Sequence, residues 1–349
     1  MNTNSRVLVY GATGHTARFV IDELLRRGLT PVLGGRNAER LAEVVPDRGL
    51  ERRVVGLDDP ELLARAVSDV GAVVNCAGPF LDTAVPLATA AVSVGAHYLD
   101  VTAEQPVVRD LYDRLDRPAR AAGVGVVPAM AFYGGLADLL VTASLEGATD
   151  ADEIDVAIGL DHWWPTSGTR LTGVRNTSVR QVIRDGRLVP LTSPAPTRSW
   201  SYPAPLGEQP VVELPFSEVM TIDRHLAVGA LRSHLNLAPL QELRDAATPA
   251  PSATGEDGRS AQRFVVDVVV RRGSDTSRIS AAGRDIYAVS APIVVEGVVR
   301  MLEGRYAGPG ALAPAQAFDA DDVLTALRRS AAGLVVERDG SGRVADVPA

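Results

Sequence analysis

Over the first 130 residues, short apolar runs alternate with stretches whose apolar positions recur at helical spacing. Residues 6–10 read as a buried strand, and residues 18–26 read as an amphipathic helix. Further strands are expected at 30–35, 51–56, 72–75, 97–100 and 124–127, with helices over about 58–70, about 83–94 and up to about 122. Alternation at these lengths predicts an α/β fold, a Rossmann-type doubly wound parallel sheet. Ligands of such sheets bind beyond the carboxyl ends of the strands. Gly11, Arg36, Asp58, Asn75, Asp100 and Pro128 are therefore expected along one edge.

After Gly147 the pattern changes. Residues 153–159 alternate like a strand, 170–184 look helical, and Asp185 and Gly186 turn into a strand at 187–189. Residues 262–271 and 276–282 look like a hairpin around Gly273 and Ser274. This predicts a second, mixed α/β domain with a largely antiparallel sheet. The Pro-, Ala- and Gly-rich stretch 246–258 is the expected mobile loop, and helices are expected over 288–302 and 320–329 before a polar end. The division is 1–130 for dinucleotide binding, 131–285 for substrate and dimerisation, and 286–349 for C-terminal helices packing back on the first domain. An antiparallel sheet with one uncovered face needs a cover, so a homodimer through that face is expected.

The turn after the first strand gives the cofactor. Gly11 permits the tight turn, Gly14 lets backbone approach a diphosphate, and Ala17 lets the helix pack closely on the strand. The free N–H groups at the start of the helix, with Thr13, His15 and Thr16 around them, face the phosphates. Where an NAD-selective chain places an acid after the second strand, this one places Arg36, followed by Asn37. A guanidinium suits the 2′-phosphate of NADPH/NADP. The other strand ends add Asp58, Asn75, Ala77, Gly78 and Pro79 to the expected cofactor-binding set.

Composition removes several alternatives. The chain has 349 residues, 46% hydrophobic and 22% charged, with a net charge of −8 and no basic block. Neither a nucleic acid nor an anionic membrane is an expected partner. Cys76 is the single cysteine, so no internal disulfide or cysteine metal cluster forms, and no His or acid spacing suggests a metal. The polar start fits no signal peptide and no apolar run is long enough to span a bilayer, so a cytoplasmic protein is expected. All 35 basic residues are arginine. Without lysine there is no Schiff-base chemistry, no Tyr–Lys pair and no Walker lysine.

The segments Gly11–Thr16, Gly35–Asn37, Asn75–Pro79 and His97–Glu104 resemble the NADP-binding half of saccharopine dehydrogenase-like oxidoreductases, in particular the branch with the trans-acting enoyl reductases. The resemblance covers roughly the first 145 residues. Residues 167–172 resemble that branch's substrate-side Ser-Gly-Gly-Thr motif, and residues 286–290 and 310–314 echo its C-terminal half. Two departures stand out. Ala103 replaces the glycine before Glu104, and the Gly-Phe-Asp segment after the sixth strand reads Ala131, Phe132, Tyr133, with Leu136 for the following proline and Asp138 retained. The loop has lost an acid and gained a phenol.

Tyr133 is the first candidate proton donor, because it follows the sixth strand and precedes a Gly-Gly turn. Asp100 either orients a donor or caps the turn before Thr102. His97 begins its strand and faces the wrong end. Phe80, Trp163, Trp164, Thr169 and Arg170 form the candidate substrate wall, the aromatics suiting an apolar or planar substrate. The resemblance implies an NADPH-dependent reductase of a C=N or activated C=C bond in a small molecule. The alternatives are an oxidative saccharopine dehydrogenase-like enzyme and an NADP-binding redox sensor without turnover.

Overall fold

A computed structural model describes residues 5–330 and 333–338. The first part runs β1 (Arg6–Tyr10), α1 (His15–Arg26), β2 (Thr30–Gly35), α2 (Ala38–Glu43), β3 (Arg52–Val54), α3 (Pro60–Ala66) and β4 (Ala72–Asn75). It continues with α4 (Phe80–Ser93), β5 (His97–Asp100), α5 (Gln105–Ala122), β6 (Gly125–Val127), a π-helical turn (Phe132–Leu136) and α6 (Ala137–Ser144). The second part holds β7 (Asp150–Leu160), α7 (Ser167–Arg175), β8 (Gln181–Arg184), β9 (Arg187–Pro190), β10 (Thr197–Ser201) and β11 (Glu208–Glu213). Then come α8 (Glu218–Asp223), β12 (Ala227–Asn236), α9 (Leu237–Arg244), β13 (Arg263–Arg272) and β14 (Asp275–Arg284). The chain closes with α10 (Ile286–Leu302), β15 (Gly310–Ala311), α11 (Pro314–Ala317), α12 (Ala320–Arg329) and β16 (Val335–Arg338).

The expected parallel sheet is present, in the order β15-β6-β5-β4-β1-β2-β3. Its register lines up the strand ends: Tyr10 lies opposite Gly34 and Asn75, and Asn75 lies opposite Asp100. The loops that leave β1, β2, β4, β5 and β6 thus share one edge. Helix starts follow from their caps. Asn37 Oδ1 accepts from Arg40 N, Asp59 accepts from Glu61 N and Leu62 N ahead of Pro60, and Asp285 accepts from Tyr287 N and Ala288 N.

The second sheet runs β10-β11-β12-β7-β13-β14-β16, with β8 pairing both β12 and β9. Only β7 and β12 run parallel within it; the other pairs are antiparallel. Two departures from the sequence expectations matter. The helix expected over 170–184 ends at Arg175, because Asn176 turns extended and Gln181–Arg184 pairs with β9 as a strand. Strands β10 to β12 carried no clear alternation of their own. Gly258, at the end of the stretch 246–258, accepts from Arg18 of α1 at 3.0 Å. The polar end read at 339–349 lies outside the described residues.

One face of the second sheet joins the main core, with Phe132 edge-on to Phe264 at 4.8 Å. On the other face, Trp200 and Tyr202 close over Ala157, Val265 and Val269. Trp200 Nε1 donates to Asp267 at 2.8 Å and Tyr202 Oη to Ile158 O at 2.9 Å. These side chains are buried within the chain itself. Among the described residues no helix is long and apolar enough to cross a membrane.

Candidate functional site

The cleft begins at the N-terminus of α1. Gly11 takes φ +79°, and a Cβ there would stand 2.8 Å from Ala77, so the turn after β1 and the loop after β4 can approach this closely only with glycine. Gly11 N and Ala12 N donate to Gly34 O, and Gly14 N donates to Gly11 O. Gly14 precedes α1 without a side-chain cap, and the first turn of α1 carries no acid. The leading N–H groups and the positive end of the helix are left for an anion. His15 Nε2 is buried without a partner, and its ring packs edge-on against Phe19 and Tyr287. Thr13 is exposed and Thr16 half-buried beside it.

Arg36 is exposed at the end of β2 and makes no hydrogen bond or ion pair among the described residues. Asp58 is exposed as well, and both charges act on the Tyr10 phenol. Asn37 is engaged as the α2 cap. An uncapped, acid-free helix start, glycines where side chains would intrude, and a free guanidinium beyond β2 together fit a phosphorylated dinucleotide.

The loop after β4 is braced from below. Asn75 is fully buried; its Nδ2 donates to Thr83 Oγ1 and Tyr98 Oη, and its Oδ1 accepts from Ala77 N. Its side chain therefore shapes the loop from Ala77 through Gly78 and Pro79, and is not itself open to a ligand. Asp100, expected as a catalytic group, is also closed. Its Oδ1 accepts from Thr102 N and Ala129 N, and its Oδ2 from Tyr98 Oη. Burial pushes its carboxyl up to about 6, although those three donors oppose the shift. It ties the ends of β5 and β6 together. His97 lies at the opposite end of β5, with Nδ1 accepting from Gly125 N.

Tyr133 sits in the π-helical turn beyond β6. Its hydroxyl is buried with no partner, and its ring stacks on Phe216 at 4.3 Å and tilts toward Trp163 at 6.3 Å. Burial holds its phenol well above the ordinary range, and the Tyr287 and Glu218 fields add to this while Arg180 opposes it. Arg180 lies over the Phe216 ring at 4.7 Å.

The second part roofs this edge. Trp163 is 4% exposed and packs beside Tyr133 and Phe216, whereas Trp164 stacks on His162 at 5.1 Å. Thr169 shares a 2.9 Å hydrogen bond with Tyr287 Oη. Helix α7 reaches the first domain twice: a Cβ on Gly78 would stand 3.1 Å from Thr172 Oγ1, and Arg175 pairs with Asp82 at 2.9 Å. Arg170, expected to meet substrate, is instead spent on the carbonyls of Leu243, Asp245 and Thr248. Phe80 is buried at the start of α4. Phe216, Arg180, Thr172 and Tyr287 were not among the expected site residues. Thr172 and Tyr287 left sequence traces, in the segments 167–172 and 286–290.

Residues 7–127 match the family described as saccharopine dehydrogenase NADP binding domain. A saccharopine dehydrogenase-like oxidoreductase of Bos taurus is 24% identical over 224 residues, covering 56% of this chain and 52% of that protein. A trans-acting enoyl reductase of Mycobacterium leprae is 28% identical over 142 residues, covering 39% of this chain and 34% of its own length. The chain spans about a third to a half of the length of the curated relatives it matches. The fold is shared with apo saccharopine dehydrogenase (L-Glu forming) from Saccharomyces cerevisiae, at a TM-score of 0.68 and 14% identity, covering 96% of this chain and 100% of that one.

Proposed function

We propose that the chain, whose residues 7–127 match the saccharopine dehydrogenase NADP binding domain family, is an NADPH-dependent reductase of a C=N or activated C=C bond in a small molecule. The cofactor, when bound, supplies the hydride. The chain's residues bind, orient and shield. The leading N–H groups of α1 would hold the diphosphate and Arg36 would hold the 2′-phosphate. Trp163 and Phe216 pack apolar surface around Tyr133 and keep water from it, which strengthens polar contacts there.

The observation that carries this reading is the Tyr133 hydroxyl, buried and unpartnered on the loop beyond β6. A buried donor without a partner is costly unless a ligand completes it. With its pKa raised, the phenol keeps its proton at neutral pH and serves as a hydrogen-bond donor to the acceptor atom. Asp100 acts as a positioning residue, since it fixes Ala129 N and Thr102 N and so the two loops that flank the donor.

The test is Tyr133→Phe, assayed by NADPH oxidation against a panel of cyclic imines and α,β-unsaturated thioesters. Loss of a preorganised donor lowers turnover by about a hundredfold. NADPH affinity stays within twofold, because the hydroxyl is not part of the phosphate cradle. Unchanged turnover would remove Tyr133 from the reaction.

A further inference from the structure

Glu104 follows β5 and precedes α5, yet it does not cap that helix. Its side chain turns to the start of α4, where Oε1 accepts from Phe80 N at 2.9 Å. The residue is 2% exposed, and Oε2 is buried with no partner. An ionised carboxylate with one bare oxygen is expensive to bury, whereas a carboxylic acid there has an O–H to give. The loop it supports, Gly78 to Phe80, lies against Thr172 of α7 at the roof of the cleft.

The charged groups acting on Glu104 are Asp100 at the end of β5 and Asp82 in the first turn of α4, whose own charge is met by Arg175 of α7. Burial is the larger effect. It pushes the carboxyl up to about 7, against the pull of the Phe80 and Leu81 N–H groups. His15 Nε2 at the start of α1 and Glu218 Oε2 in α8 are also buried without partners, whereas three other groups at this edge hold their protons or have no free atom. Cys76 is pushed up to about 12 by burial, Tyr133 lies well above the phenol range, and both Asp100 oxygens are occupied.

We propose that Glu104 is the proton donor of the reduction, through Oε2. The inference rests on the reductase reading above. As the acceptor carbon gains the hydride that NADPH gives up, the π pair moves to the imine nitrogen or the α-carbon. That atom takes the proton: the Oε2–H bond breaks, an N–H or C–H bond forms, and the carboxylate left behind recovers its proton from water. Tyr133 polarises the acceptor and keeps its own proton. A donor that titrates near working pH is the efficient one.

The experiment compares wild type with Glu104→Gln, which keeps Oε1 as the acceptor for Phe80 N and so the fold. Infrared pH titration of the protein without substrate should show a protonated carboxyl band that fades through neutral pH and is missing from the variant, on top of the signal of Asp100 and Glu218, whose carboxyls burial also raises and which both proteins keep. With the imine and thioester panel, the variant should lose at least about a hundredfold in turnover together with the alkaline limb of the pH profile. Its NADPH affinity should stay within twofold. A wild type without that band, or a variant turning over within threefold of wild type, overturns the assignment and leaves the reductase reading standing. A wild type that reduces nothing in the panel overturns the reductase reading, and the donor with it.

Discussion

Trp163 donates its indole N–H to the Tyr287 hydroxyl at 3.2 Å, and so bonds the loop after β7 to the first turn of α10. The same oxygen meets Thr169 Oγ1 at 2.9 Å and Thr166 N at 3.4 Å, and the ring packs edge-on to His15 at 5.4 Å. One tyrosine therefore joins the roof, the start of α7 and the phosphate cradle.

Tyr287→Phe should leave the Trp163 N–H buried and unpaired, at a cost of about 1–3 kcal/mol. A lowered denaturation midpoint is expected, with faster amide exchange over residues 166–175 than in wild type. Unchanged exchange there would mean that Arg170 and Arg175 hold α7 without the tyrosine hydroxyl.

Arg36→Ala should weaken NADPH binding and leave NADH nearly unchanged. A charge-assisted hydrogen bond is worth about 1.5–3 kcal/mol, roughly a 10- to 150-fold change in affinity. Calorimetry with both cofactors reads this directly, and an equal loss for both would place the 2′-phosphate elsewhere.

Gly14→Val should abolish NADPH binding while the fold persists. Gly14 has ordinary extended backbone, φ −79° and ψ 158°, and an added Cβ would meet Gly11 O at 3.1 Å, a contact that small shifts relieve. The side chain would occupy the cradle itself. Circular dichroism should match wild type and calorimetry should detect no binding; normal binding would move the phosphate site.

His97 makes stability fall with acid. Burial lowers its pKa from 6.5 to about 4. Between these values the unfolded chain takes up a proton that the folded chain refuses, so stability is fully present above about pH 6.5 and is lost as pH falls toward 4. The loss is bounded at about 3 kcal/mol. Denaturant titrations at several pH values should show wild type losing stability relative to His97→Gln as pH falls from about 6.5 toward 4, with a constant difference above neutral pH. A pH-independent difference would contradict the buried neutral imidazole.

The first domain was legible because its signals are local. A parallel strand buried on both faces is a short apolar run, and each turn after it carries its own glycine, cap or charge, as Gly11, Asn37 and Asp59 do. The second sheet was read at β7, β13 and β14, where alternation is regular. It was missed at β10 to β12, where Trp200, Arg198 and His234 face a polar network that breaks the pattern. The cleft wall was hidden for a different reason. Phe216, Arg180 and Tyr287 lie far apart in sequence and meet only through tertiary packing. Arg170 and Asn75 had the right positions, and the structure spends both on backbone or on neighbouring side chains.

Transfer of label from cofactor to product tests the central claim most directly. NADPH deuterated at nicotinamide C4 would be incubated with the protein and the imine and thioester panel, and the products analysed by mass spectrometry. The reductase reading predicts at least one product heavier by a single deuterium on carbon, with its yield cut sharply by Tyr133→Phe. NADPH that binds tightly, needs Arg36, and passes no label to any compound would contradict it and favour a sensor that holds the cofactor without turnover.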